Sequence, residues 1–459
     1  MKRVLFLAYH FPPVGGAGVQ RNAKFARYLP EFGYDSIVVT GPAAGLDRWA
    51  PIDATMEGEV PPGTEIRRIP GEPPPSSRWH GRAERWLGIR SPWVDWWNEN
   101  APKIARNATD VDVIYASLVP YDAAEAAALL ARELGKPWVA DLQDPWALDE
   151  MWVAPTALHR RRDVRRMRRL LGHADAIVMN TSESRNRLLE AFPELRHKVV
   201  VSIPNGFDAA DFSGRAPPER RDGKFRVVHT GYLHTELGLE HRRAGKIRRF
   251  VGGAVSGVDI YTRSHVFLLE AIQRLLDERP ELAAKIEVRL AGVLSDTDRE
   301  IGQQFPFVRL LGYVPHAESI ELLRCADLLF LPMHDVPPGE RISIVPGKTY
   351  EYMASGRPIL AAVPDGDARD LLTEVGTALL CHPSDVAAMQ RIVAEQIERT
   401  RRGSPAPQPA VDVLARFERR QLTRELAEVF DRLTETVKSG STRPLLAPEA
   451  ARPAAASLR

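Results

Sequence analysis

At 459 residues and 44% hydrophobic composition, the chain can fill two or three domains, each with its own core. Lysine and arginine total 62 against 60 acidic residues, a net charge of +2, which excludes a general nucleic-acid binder with its strongly basic surface. Cys325 and Cys381 fit neither a metal nor a disulfide spacing, so they read as free thiols in a reducing cytoplasm, and neither a metal nor a cofactor is expected.

Strand and helix signals alternate from the start. Lys2 and Arg3 precede the apolar run VLFLAY, as in a signal peptide, but the run is too short and stops at His10 and a proline pair. Arg3–Ala8 is instead a first strand, continuously apolar as a parallel sheet requires. Residues 17–32 are helical, with Phe25, Tyr28, Leu29 and Phe32 on one face. Strands follow at 34–40, 111–117, 137–141 and 176–180. Together they form a doubly wound α/β domain over residues 1–198.

A link from Val199 carries the turn Pro204-Asn205-Gly206. A second alternating set then begins at Phe225, with strands at 225–231, 286–291, 308–311, 328–332, 358–363 and 378–381. This is a second Rossmann-like domain over 199–401. Two such domains facing each other form a cleft at the carboxyl ends of their strands, the usual ligand site. A linker at 402–409 precedes a last amphipathic helix, residues 410–436. The tail 438–459, rich in Ala, Pro and Ser, reads as disordered. No apolar run reaches the roughly 18 residues of a membrane span.

The most informative stretch is Ser343 to Ala362, SIVPGKTYEYMASGRPILAA. Pro346, Gly347 and Lys348 open a short helix whose N–H groups and lysine charge suit a phosphate. Glu351, one turn on, can accept two hydrogen bonds from a diol such as ribose. The plain alternative is an exposed Lys/Glu pair at a helix start. The loop Pro12–Gly18 follows strand one, and Gly15 and Gly16 clear space for a ligand to approach the backbone. It fails as a dinucleotide fingerprint, because Arg21 stands at the third glycine and strand two ends in Thr40. Asp141 and Asp144 of DLQDPW sit at a strand end and are candidates to orient a sugar hydroxyl or stabilise positive charge, although Asp144 also suits a cap before Pro145. His10 is a further candidate on the same side.

These segments resemble the family 4 glycosyltransferases of GT-B architecture. The likeness runs through HFPPVGGAGVQR at 10–21, DLQDPW at 141–146, IPNGFDAADF at 203–212, GYVPHAESIELLRCADLLFLP at 312–332 and the 343–362 stretch. It implies a retaining, metal-independent transfer of sugar from a nucleotide diphosphate sugar to a glycan, lipid-linked or small-molecule acceptor. It also implies that Lys348 holds the diphosphate, Glu351 the ribose, and the Gly15–Gly16 loop closes over the donor. The last helix is expected to cross back to the first domain.

The chain departs from the family at three points. The first acid of a pair eight positions apart is replaced by Ser343. Tyr232 stands where arginine often binds diphosphate, which leaves Arg263 as a substitute. The segment Tyr115–Leu118 lacks the usual histidine. An inserted basic stretch, 234–261, reads either as phosphate contacts or, more simply, as a solvated loop. Trp79, Trp86, Trp93, Trp96 and Trp97, together with the run RRRDVRRMRR at 160–169, suit a peripheral membrane contact or a lipid-linked acceptor, the plain alternative being core tryptophans beside a solvated helix. Two other functions share the fold: a nucleotide-sugar epimerase or hydrolase, and a degenerate, non-catalytic binding protein.

Overall fold

The computed structural model describes residues 1–42, 51–70, 92–214 and 222–438. Seven parallel strands form the first sheet: β1 (Lys2–Leu7), β2 (Tyr34–Thr40), β3 (Glu65–Arg68), β4 (Val113–Ser117), β5 (Trp138–Leu142), β6 (Ala176–Met179) and β7 (Val199–Ser202). Their order is β3-β2-β1-β4-β5-β6-β7. The central strands are buried on both faces, which is why they read as unbroken apolar runs. Two strands escape that pattern. β3 is a polar four-residue strand at the sheet edge. β7, placed by sequence in the link after residue 198, pairs with β6 from Ala176↔Val199 to Met179↔Ser202, so the first sheet extends past that boundary.

The second sheet holds β8 (Phe225–Thr230), β9 (Ile286–Ala291), β10 (Val308–Gly312), β11 (Leu328–Pro332), β12 (Ile359–Ala362) and β13 (Ala378–Cys381), in the order β10-β9-β8-β11-β12-β13. All its pairings are parallel. Both sheets reverse strand order beside their first strand, β1/β4 in one and β8/β11 in the other. These switch points open the crevices that face the cleft.

Six helices matter for the site. They are α1 (Ala17–Tyr28), α2 (Pro92–Arg106), α3 (Ala157–His173), α4 (Thr235–Phe250), α5 (Gly347–Ala354) and α6 (Arg419–Lys438). α4 occupies the stretch that sequence favoured as a loop. Leu, Glu, Ala, Lys and Arg are good helix formers, and the cost of its internal glycines, about 1 kcal/mol each, is too small to break it. α6 returns to the first domain, where Leu422, Leu426, Val429 and Phe430 join Val4, Phe6 and Tyr115 in one core. The Phe430 ring lies 5.2 Å from Tyr34 and 6.2 Å from Tyr115. The tail from residue 439 lies outside the described residues.

The chain thus passes between domains twice, and the two passages run side by side. Phe207 N donates to Phe417 O at 3.0 Å, and Arg419 N donates to Phe207 O at 2.8 Å. Gly206, with φ 67°, makes the approach possible, because a Cβ there would meet Phe417 O and Leu422 Cδ1 at 2.5 Å.

Phe430→Ala removes a fully buried ring from this core. It should cost about 3–5 kcal/mol of stability, read as a lower urea midpoint at unchanged slope.

Candidate active site

On the second domain, α5 begins after Pro346, whose φ of −57° is native to proline. Lys348 bends back from its first turn toward the end of β8. Its Nζ lies 3.1 Å from His229 Nε2 and 3.3 Å from the Tyr232 carbonyl. His229 Nδ1 is 2.9 Å from the Phe330 carbonyl. A carbonyl only accepts, so Nδ1 carries the proton and Nε2 offers its lone pair to the lysine. Burial and the Lys348 charge push the His229 pKa well down, which keeps the ring neutral. Burial, aided by Arg263, also pushes Lys348 well below the usual lysine range, while Glu351 opposes the shift. An anion beside Lys348 would offset both effects. Glu351, one turn along α5, lies 4.0 Å from Arg419 Nη2 of α6.

The first domain presents carboxylates to these cations. Asp144 is exposed to solvent yet enclosed by protein beyond it, the situation of a cleft wall. Burial raises its pKa and Arg263 pulls it back. Two residues on, Trp146 has φ 55°, is buried, and stacks on Tyr121 at 4.7 Å with the rings 2° apart. A non-glycine residue in that conformation stores about 1–3 kcal/mol, and here it fixes the turn that presents Asp144. Burial, then the charges of Glu150 and Asp144, raise Asp149 to about 7. Burial lowers Arg263, and Asp144, Asp149 and Glu150 oppose that shift. Lys348, Glu351, Arg263 and Asp144 are thus brought to one cleft.

The other sequence candidates are otherwise engaged. Asp141 is fully buried, and both of its carboxylate oxygens accept from Arg21, at 2.7 and 2.9 Å. Tyr115 donates to it as well. It is a structural ion pair and not a cleft acid. His10 sits with the aromatic group of the first domain, its ring edge-on to Tyr9 at 4.8 Å. Gly15 gives its missing side chain to a protein neighbour, since a Cβ there would stand 2.4 Å from Tyr313 Oη of the second domain. Gly16, with φ 104°, starts α1. Trp96 and Trp97 are core residues and not a surface anchor. Trp79, Trp86 and the side chain of Trp93 lie outside the described residues. In the basic insertion, Arg242 pairs with Asp259 and covers the Tyr261 ring at 4.2 Å. The side chains of Lys246, Arg248 and Arg249 also lie outside the described residues.

Ser343 is the most informative departure. Its N–H and Oγ donate to Glu150 of the first domain, at 3.0 and 2.6 Å. Arg187 donates to the same carboxylate at 3.0 Å, and His334 Nε2 lies 3.4 Å from it. A carboxylate therefore does stand beside position 343, delivered by the opposite domain. Sequence reading missed Glu150, Asp149, Asp53 and His229. Only His229 left a sign, as a histidine directly after the valine pair of β8.

Two doubly wound domains around a cleft, cationic on one wall and acidic on the other, define the GT-B architecture. Residues 15–206 match the family model described as a glycosyl transferase 4-like domain, and residues 250–399 match the one described as glycosyl transferases group 1. The chain belongs to the glycosyltransferases of the group 1, family 4 type. It is 25% identical over 245 residues to D-inositol 3-phosphate glycosyltransferase of Streptomyces coelicolor, covering 49% of this chain and 48% of that protein. The chain thus spans about half the length of that relative. The crystal structure of Anabaena HepE with UDP and glucose is similar at a TM-score of 0.57 and 18% identity, over 94% of this chain and all of that one. Trehalose 6-phosphate synthase of Burkholderia multivorans is similar at 0.57 and 14%, over 96% of this chain and all of that one. At these identities the structures establish the fold alone.

Burial pushes the Glu150 carboxyl up, but hydrogen bonds from His334 and Ser343 carry it from 4.5 down to about 2. A depressed carboxylate stabilises the fold above its unfolded pKa and loses that contribution as pH falls through the folded one. Glu150→Gln should therefore cost about 3 kcal/mol at pH 7. The gap from wild type should close between pH 4.5 and about 2 in paired urea titrations.

Proposed function

We propose that the chain transfers a sugar from a nucleotide diphosphate sugar to an acceptor, holding the nucleotide on the second domain and the acceptor on the first. The observation that carries this reading is Lys348, buried at the first turn of α5 beside the end of β8, where burial and the Arg263 charge disfavour its ammonium and negative charge would restore it. A diphosphate supplies that charge, and the α5 N-terminus adds its partial positive end. Glu351 lies one turn farther, at the distance of a ribose, with Arg419 behind it. The bond between sugar and diphosphate breaks with charge building on the leaving oxygens, and cations already in place stabilise that charge without reorganising. Asp144 faces them and suits an acceptor hydroxyl. The family resemblance supports retention of anomeric configuration, and cations at the diphosphate support a reaction that needs no metal. Both family models describe glycosyl transfer, which favours transfer over epimerisation or a binding role.

UDP, the nucleotide in the HepE complexes, is the first ligand to try. By calorimetry, Lys348→Ala should weaken UDP and leave uridine nearly unchanged. Glu351→Gln should weaken both, by roughly 10- to 150-fold, the range for a hydrogen bond to a charged group. Unchanged UDP affinity in both variants, after wild type has been shown to bind, rejects this assignment of the donor site.

A further inference from the structure

Helix α3 carries seven arginines between residues 160 and 169, and the structure divides them. Arg166 pairs with Asp122 at 2.7 Å and Glu125 at 3.4 Å. Arg169 lies 3.7 Å from Glu125, and Arg168 pairs with Glu194. Arg162 pairs with no carboxylate among the described residues, and neither do Arg160, Arg161 and Arg165. The last three lie one to five residues apart, on a common face with Ala157 and Val164. That face lines a shallow, open cavity of about 350 Å³, bounded across from it by Gly252 of the second domain.

The far wall is a glycine because nothing larger fits. Gly252 has φ 68°, and a Cβ there would stand 2.8 Å from Ala157 Cβ. A Cβ on Gly253 would stand 2.2 Å from the Ala154 carbonyl oxygen. Two backbone hydrogen bonds hold this contact, Ala154 N to Gly253 O at 2.8 Å and Ala157 N to Val251 O at 2.9 Å. Both domains therefore build the cavity. Burial lowers the Arg160 pKa, and the charges of Asp149 and Glu150 oppose that shift.

We propose that this cavity binds a phosphate group carried by the acceptor, placing the acceptor's hydroxyl toward Asp144. A neutral acceptor has no use for three arginines that pair with no carboxylate among the described residues. Guanidinium forks match phosphate oxygens in pairs, which a solvated lysine patch does not do. The volume lies at the small end of ligand pockets, about 300–1,000 Å³, and admits a phosphate with a small body attached. Ala157 and Val164 give that body an apolar floor. The proposal rests on the glycosyl-transfer reading for the word acceptor, but the anion site stands or falls by itself.

The test titrates the full chain, with and without UDP, against glycerol 3-phosphate and against glycerol, by calorimetry. A parallel arm floats the protein with phosphatidylglycerol vesicles and with phosphatidylcholine vesicles. At least one phosphate probe should bind where its neutral counterpart does not. Binding in calorimetry assigns a soluble phosphate, and binding to anionic vesicles alone assigns a lipid headgroup. The triple substitution R160Q, R161Q and R165Q should weaken the positive arm at least about tenfold, the loss of one charged hydrogen bond, with UDP affinity and melting temperature unchanged. Gly253→Val, which forces the two walls apart, should weaken the same arm. Neither probe binding wild type, or equal binding by the triple variant, overturns the proposal. Absent UDP binding counts against the donor site alone.

Discussion

Glu150 is a buried charge that neither domain satisfies alone. Arg187 of its own domain supplies one partner, and Ser343 and His334 of the other domain supply the rest. A carboxylate taken out of water costs several kcal/mol unless its lone pairs are filled. The domains must therefore meet in one register to fill them. Smaller contacts follow that register. Thr181 Oγ1 donates to Ser343 O at 2.6 Å. Asp53 accepts from Tyr313 Oη at 3.0 Å and from His316 N at 3.1 Å. Asp211 meets His316 Nε2 at 3.1 Å. Burial works against charging His316, but Asp211 and Glu351 more than offset it, so its pKa is raised.

The same register sets the electrostatics of the cleft. With the domains held in place, Asp144 and Asp149 face Arg263, and Arg263 stands beside Lys348. The two walls carry opposite charge, and Lys348 forms no ion pair among the described residues. A site arranged in this way favours a ligand that is anionic at one end and rich in hydroxyls at the other. The second domain contributes Lys348 from a helix start and Arg263 from the end of the turn at residues 260–262. The first domain contributes acids from a turn fixed by the strained Trp146.

Much of this was legible in the sequence where chemistry and local conformation coincide. The unbroken apolar strands declared two parallel sheets, and Pro346-Gly347-Lys348 declared a helix start. What escaped was set by distant partners. Asp141 looks like a cleft acid until Arg21, 120 residues earlier in the chain, is seen to claim both its oxygens. Ser343 looks like a lost acid until Glu150 is placed against it. β3 carries too little apolar pattern to be told from a loop, because an edge strand needs only one neighbour, and the apolar β7 reads as part of the link because it runs directly into the Pro204-Asn205-Gly206 turn. The insertion was read as a loop because its charges suggested solvent, but helix propensity and the contact at Gly252 and Gly253 decide its form. Tryptophans near arginines pointed to a surface, whereas the packing of α2 draws Trp96 and Trp97 into the core.

The paired passages between the domains act as a strap hinge. A single connecting strand lets two bodies both bend and twist, whereas two strands joined by hydrogen bonds at Phe207, Phe417 and Arg419 resist twisting and bend along one line. Opening the cleft is thereby reduced to one degree of freedom. The domains return along the path by which they parted, so Glu150 meets Ser343 again without a search over orientations.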